Sequence, residues 1–208
     1  MNNLNTSSYW ENKKVTSEEF AIFKHLKNNI KSNSDILHIG VGCSHGVQVL
    51  KNKFNSFTGL TIAGLEKNKA DNLNIKNNST NIVDKYNHEQ LIEVIKFKTF
   101  DYIIDINLKS FSPNNQLYEN MMKNFYNFLK IGGCIITSKS GMNWTTELNL
   151  ISNNFMQVGN NNSNILSKND LERFAKNFCL SIEEITQSFG FFKEKSETLY
   201  KLTKNYEI

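Results

Sequence analysis

Apolar and polar positions along the chain follow two rhythms. Between Phe20 and Ile30 the apolar residues Phe20, Ile22, Phe23, Leu26 and Ile30 include the i, i+3 and i+4 steps of one helical stripe. Thr16-Ser17-Glu18-Glu19 precedes them as a capping box, in which Thr16 accepts from the Glu19 backbone N–H and Glu19 returns the bond. The pattern predicts a helix from there to about Ile30. From Ser34 onward, short apolar runs alternate with helical stretches. Strands are predicted over 36–40, 57–62, 81–83, 100–106 and 134–137, and helices over 47–54, 65–75, 88–97 and 117–129. A repeated strand-helix unit requires parallel strands joined by right-handed crossovers, with helices on both faces of the sheet. After Gly141 the rhythm breaks, and 142–167 is polar, Asn-rich and only locally helical, which marks an insertion. Regularity resumes with a helix over 171–178, a strand over 180–186, a connection at Phe189-Gly190-Phe191-Phe192 and a strand over 198–203. Two strands joined without a helix pair antiparallel or leave the sheet. The expected fold class is α/β: a doubly wound, mostly parallel seven-stranded sheet with helices on both faces and a C-terminal antiparallel hairpin.

Composition narrows the class of function. A chain of 208 residues that is 39% hydrophobic and 21% charged is expected to bury one core, and these proportions exclude wholesale disorder. The net charge of +4 rests on lysines scattered along the chain with Arg173 as the one arginine, so no basic stripe announces a nucleic acid. Asparagine runs such as Asn77-Asn78 and Asn160-Asn161-Asn162 read as solvated surface. Cys43, Cys134 and Cys179 are odd in number and widely spaced, which indicates neither a disulfide framework nor a cysteine zinc site and favours a cytoplasmic location. No apolar stretch has the length of a secretory signal or a membrane span.

Candidate chemistry concentrates in Asp35-Ile36-Leu37-His38-Ile39-Gly40-Val41-Gly42-Cys43-Ser44-His45-Gly46. A buried strand running into Gly-x-Gly and then into a helix lets a ligand lie against bare backbone. The spacing alone is weak; its strand-loop-helix context is what points to a cofactor loop.

On these residues the chain resembles the Rossmann-like (class I) S-adenosylmethionine-dependent methyltransferases. Gly40, Gly42 and Ser44 correspond to the three positions of the family's glycine motif, and His38 stands where the family carries an acid at the end of its first strand. A core histidine bonded to a neighbouring carbonyl is the plainer reading of His38. In the family the second strand ends in an acid that holds ribose hydroxyls; Phe57-Thr58-Gly59-Leu60-Thr61-Ile62 puts Thr61 there, similar to the Gly-Leu-Thr of cyclopropane-synthase-like members. Glu66, five residues on, is either a compensating carboxylate or a solvent-facing residue at a helix start. Asp84 fits the slot beside the adenine. Phe100-Asp101-Tyr102-Ile103-Ile104-Asp105-Ile106-Asn107 is similar to the family's fourth strand, with Asp101 structural and Asp105 at the ligand end. Residues 129–137, with Gly132-Gly133 as a tight turn, resemble the approach to the fifth strand, and the chain end resembles the family's closing hairpin, whose final strand inserts antiparallel. The resemblance runs from about Ser34 to the end.

This resemblance implies S-adenosylmethionine as cofactor and methyl transfer to oxygen or nitrogen of a small-molecule acceptor. The cofactor-binding set it implies is His38, Gly40, Gly42, Ser44, Thr61, Ile62, Glu66 and Asp84. Asp105 is the candidate catalytic base, with His45 as a second. Tyr9, Trp10, Asn107, Lys109 and Trp144 are candidates to line the acceptor pocket, with residues 1–33 as a segment covering the site and 34–208 as the catalytic domain. No metal is implied, because Asp101, Asp105 and Asn107 on one strand do not converge without another segment. Beyond the acceptor the reading allows a homodimer and expects no nucleic acid and no membrane. Two alternatives stay open: a degenerate cofactor fold with a binding role, supported by the two missing acids, and a nicotinamide-dependent oxidoreductase, which lacks a Tyr-x-x-x-Lys pair and a carboxylate at Thr61.

Overall fold

A computed structural model describes residues 14–110, 112, 114–142, 147–149, 154–156, 166–189 and 195–206. Its elements in chain order are α1 (Ser17–Asn29), β1 (Ser34–Ile39), α2 (His45–Leu50), β2 (Phe54–Thr61), α3 (Gly64–Asn72), β3 (Asn78–Ile82), α4 (His88–Ile95) and β4 (Phe100–Asp105). There follow α5 (Asn115–Phe128), β5 (Leu129–Ser138), α6 (Lys139–Met142), β6 (Glu147–Asn149), β7 (Asn154–Met156), α7 (Lys168–Asn177), β8 (Leu180–Phe189) and β9 (Lys195–Lys204).

Seven strands form one sheet in the order β3-β2-β1-β4-β5-β9-β8. Pairings from β3 across to β5 are parallel, whereas β9 lies antiparallel between β5 and β8. The expected α/β sheet with its inserted last strand is thus present. Topology reverses beside β1, which pairs with β2 on one side and β4 on the other, and in open parallel sheets the crevice at that reversal is where ligands bind.

The near-continuous apolar runs of β1 and β4 exist because both sheet faces are covered. Leu37, Leu60, Ile103 and Ile135 pack on one face with Leu91 of α4, Phe125 of α5 and Leu171 of α7. Ile36, Phe57, Ile104 and Ile136 pack on the other with Phe23 and Leu26 of α1 and Val47 of α2. Gly46 is what lets α1 and α2 meet: a Cβ there would stand 2.2 Å from the Phe23 ring. The glycine that closes the sequence motif therefore serves helix packing.

Three local expectations change. Phe20 ends 42% exposed while Ala21 is buried, so the buried stripe of α1 is Ala21, Ile22, Phe23 and Leu26. Gly132-Gly133 does not form a turn before a short strand. Instead β5 begins at Leu129 and bulges: Leu129 pairs with Phe100 and Cys134 with Tyr102, with Gly132 at φ +79° inside the excursion. Within the insertion, α6 ends at Met142 and the described part beyond it is an antiparallel pair, β6 with β7, rather than helix. Cys43, Cys134 and Cys179 are all free thiols.

Candidate cofactor cleft

At the carboxyl ends of β1, β2 and β4 a cavity of about 340 Å³ opens, within the range of sites that enclose a small molecule. Its apolar wall comes from Ile39, Leu60, Ile62, Val83 and Tyr86, its floor from Gly40 and Gly42, and its far rim from Ser140 and Gly141. Gly40 and Gly42 have φ of +71° and +54°, which side-chain-bearing residues rarely adopt, and a Cβ at Gly40 would meet nothing within 4 Å. Backbone is thus exposed to the cavity where the loop leaves β1.

Thr61 closes β2. Its Oγ1 accepts from the Ala63 N–H at 3.0 Å and donates to Glu66 Oε2 at 2.5 Å. Glu66, in the first turn of α3, is buried, and it lines the cavity together with Thr61. A carboxylate from the next helix, one short loop later, thus stands against the end of β2. Glu66 is therefore not the solvent-facing residue at a helix start that the sequence also allowed.

Asp105 closes β4 and is buried. Lys85 Nζ donates to Asp105 Oδ2 at 2.8 Å, to the Asn107 carbonyl at 3.0 Å and to the Leu108 carbonyl at 3.2 Å. Burial pushes the Asp105 carboxyl above its ordinary range, against the opposing pull of the Lys85 ammonium and the Asn107 N–H. Asn107 also lines the cavity, as does Ser110, whose carbonyl accepts from the Tyr86 hydroxyl at 2.7 Å. Burial holds that phenol well above its usual value.

Among the expected site residues, Gly40, Gly42, Thr61, Ile62, Glu66, Asp105 and Asn107 share the cavity wall. Others stand elsewhere. His38 points into the α1 face of the sheet, edge-on to Phe23 at 5.1 Å and to Phe57 at 6.0 Å. Ser44 caps α2 in the left-handed conformation without a side-chain cap bond. Asp84 is exposed, and its carboxylate accepts from the Tyr86 N–H at 2.9 Å, forming a turn that aims Lys85 and Tyr86 inward in its place. His45 stacks on Phe20 at 6.2 Å, its imidazole pushed down by burial. Lys109 holds its ammonium 5.6 Å from the Tyr118 ring, its pKa likewise lowered by burial. Tyr9, Trp10 and Trp144 lie outside the described residues.

The cavity also has walls that sequence reasoning missed: Lys85, Tyr86, Ser140, and Thr16, Glu18 and Glu19 at the start of α1. The Thr16 side chain accepts from the Glu19 N–H at 3.2 Å as expected of a cap, but the Glu19 carboxylate reaches the glycine loop, where its Oε1 accepts from Cys43 Sγ at 4.0 Å. Ser140 is fixed by Glu197 of β9, which accepts from its N–H at 2.9 Å and from its hydroxyl at 2.7 Å. Among the described residues no cluster of His, Cys, Asp or Glu has the makings of a metal site, and no helix is long and apolar enough to cross a membrane.

No protein-family model matches the chain, and no curated protein matches it in sequence. Solved structures do match in fold. The N-methyltransferase NodS from Bradyrhizobium japonicum WM9, in complex with S-adenosyl-L-homocysteine, aligns with a TM-score of 0.63 at 12% identity over 98% of this chain and 95% of that one. An S-adenosylmethionine-dependent methyltransferase from Clostridium acetobutylicum ATCC 824 aligns at 0.61 with 15% identity over 96% of each chain. An rRNA methylase from Streptococcus thermophilus aligns at 0.53 with 9% identity over 93% of this chain and all of that one. Likeness across almost the whole chain joins the strand order, the antiparallel last strand and the cavity at the topological reversal, and the chain has the Rossmann-like fold of the class I S-adenosylmethionine-dependent methyltransferases.

Proposed function

We propose that the protein is an S-adenosylmethionine-dependent methyltransferase acting on oxygen or nitrogen of a small-molecule acceptor. The observation that carries this reading is the Thr61–Glu66 pair: a buried carboxylate, oriented by a 2.5 Å hydroxyl bond, on the wall of a cavity floored by bare glycine backbone. A carboxylate of this kind can accept a hydrogen bond from each hydroxyl of a ribose diol, and the apolar walls of Leu60, Ile62, Val83 and Tyr86 suit a flat heterocycle. These residues fit the adenosyl group of the cofactor. When bound, S-adenosylmethionine supplies an electrophilic methyl on a sulfonium.

In-line transfer of that methyl asks the protein chiefly to align two groups and exclude water. Asp105 is the group we assign to the acceptor: it orients the acceptor's O–H or N–H and takes its proton, its carboxyl already pushed up by burial and its position set by Lys85. His45, stacked on Phe20, stands apart from that step. Asn107, Ser110 and Ser140 line the same cavity with neutral polar groups, which suits a small uncharged acceptor. The scattered lysines and single arginine give no stripe that follows a nucleic-acid backbone.

Calorimetric titration with S-adenosylmethionine and S-adenosylhomocysteine, with NADH and NADPH as controls, tests the reading. Micromolar binding of the adenosyl ligands, weakened at least tenfold in Glu66→Gln, is the expected outcome. Preference for the nicotinamide ligands would replace it with the oxidoreductase, and binding of none of the four with a degenerate domain that holds a partner in the cleft.

A further inference from the structure

The resemblance implies an acid at the end of β1, where this chain has His38. His38 occupies that position and faces the α1 core against Phe23 and Phe57, so no carboxylate reaches the cleft from β1 itself. Across the glycine loop, however, the start of α1 brings Glu19 to the cavity wall. Glu19 is only 4% exposed, its Oε1 lies 3.8 Å from where a Gly42 Cβ would stand, and the Cys43 thiol donates to the same oxygen. Thr16 fixes the backbone beneath it through the Glu19 N–H. The side chain is thus held over the floor of the cavity, at the glycine loop rather than at the Thr61–Glu66 end of β2.

On the reading that the cleft takes an adenosyl amino acid, we propose that Glu19 is the carboxylate that binds the α-ammonium of the cofactor's amino-acid tail. Charge chooses between the two ends of that tail. A carboxylate sheltered from water attracts a cation much more strongly than one in solvent does, and it repels an anion equally, so the tail must present its ammonium to Glu19. The other cation on the cavity wall, Lys85, is committed to Asp105 and to two loop carbonyls on the β4 side. The arrangement assigns one buried carboxylate to each polar part of the ligand: Glu66 to the ribose diol from α3, and Glu19 to the ammonium from α1. Each acid has moved off its strand onto a neighbouring helix.

The test pairs a change in the protein with a matching change in the ligand. Full-length wild type and Glu19→Gln are titrated by calorimetry with S-adenosylhomocysteine and with its analogue lacking the α-amino group. Wild type should bind the desamino analogue about 10- to 100-fold more weakly than S-adenosylhomocysteine, and Glu19→Gln should lose a similar factor for S-adenosylhomocysteine and almost none for the analogue. Equal loss for both ligands in the variant would overturn the assignment, showing that Glu19 shapes the cleft without meeting the amine. So would unchanged binding of S-adenosylhomocysteine. Should the variant fold poorly, the wild-type comparison of the two ligands still decides, because equal affinities leave the amine without a charged partner. Failure of wild type to bind S-adenosylhomocysteine at all would overturn the cofactor reading and this assignment together, whereas binding without dependence on the amine or on Glu19 would overturn this one alone.

Discussion

Two aspartates four residues apart on β4 carry the same chemistry to opposite ends of the sheet, and each meets a lysine at 2.8 Å. At the amino end, Lys130 bridges Asp101 and Asp35, with side chains 36%, 30% and 21% exposed. At the carboxyl end, Lys85 holds Asp105, with side chains 10% and 3% exposed. Geometry is almost the same; water is not. An exposed pair gains little, since solvent competes for both ions. A buried pair has already lost its hydration, so removing one partner strands the other. Asp101 and its lysine pin β5 to β4 and β1 at the closed end of the sheet, whereas Asp105 and its lysine shape the cavity.

The largest break of this comparison is Lys85→Ala. Leaving Asp105 buried without its ammonium should cost about 3–5 kcal/mol, seen as a fall of roughly 10 °C in the calorimetric unfolding midpoint. Replacing both partners together, as Lys85→Met with Asp105→Leu, should recover most of that loss.

Acid sharpens the contrast, because the two ends titrate in opposite senses. Burial raises the Asp35 carboxyl, but hydrogen bonds from Lys130, Ser56 and Asn55 outweigh it and leave it below its ordinary 3.8. A lowered carboxyl stabilises the native state above 3.8 and loses that contribution as pH falls through its folded value. Asp105 is raised, so its contribution is fullest below 3.8 and is lost as pH rises through its folded value. Urea unfolding between pH 3 and 7 should therefore show the cost of Asp35→Asn growing with pH and that of Asp105→Asn shrinking. Parallel trends would mean that the two carboxyls share one environment.

The smallest effect belongs to Lys130→Ala, expected to cost about 1 kcal/mol or less and to fade further in high salt, as urea unfolding at two ionic strengths would show. A loss as large as that of Lys85→Ala would contradict the assignment of the amino end to weak, solvated pairing.

The same contrast explains what could be read from the chain. The parallel sheet was legible because β1 and β4 are covered on both faces and so appear as near-continuous apolar runs, and the closing hairpin because the five residues between β8 and β9 are too few for a crossover helix. Gly40 and Gly42 were legible because a cleft needs bare backbone directly after a strand. Glu66 was an open choice, since a carboxylate in the first turn of a helix looks the same in sequence whether it faces water or a cavity. Glu19 was read only as a capping residue, a local role that hides a contact made across the loop. Lys85 gave no signal at all: its three bonds run to residues 20 to 23 positions away, and no periodicity encodes a pairing between the segments that follow β3 and β4, two strands that β2 and β1 separate in the sheet. Phe20 misled for the opposite reason, fitting the helical spacing while standing on the shoulder of α1, where it packs on His45 and Phe189.

The central claim is that the acids missing from β1 and β2 are replaced by carboxylates on the adjoining helices. A crystal structure of the wild-type protein with bound S-adenosylhomocysteine tests it most directly. The account predicts ribose hydroxyls within hydrogen-bond distance of Glu66 and the ligand ammonium against Glu19, with His38 still packed between Phe23 and Phe57; a ligand whose ribose and amine meet neither carboxylate would contradict it.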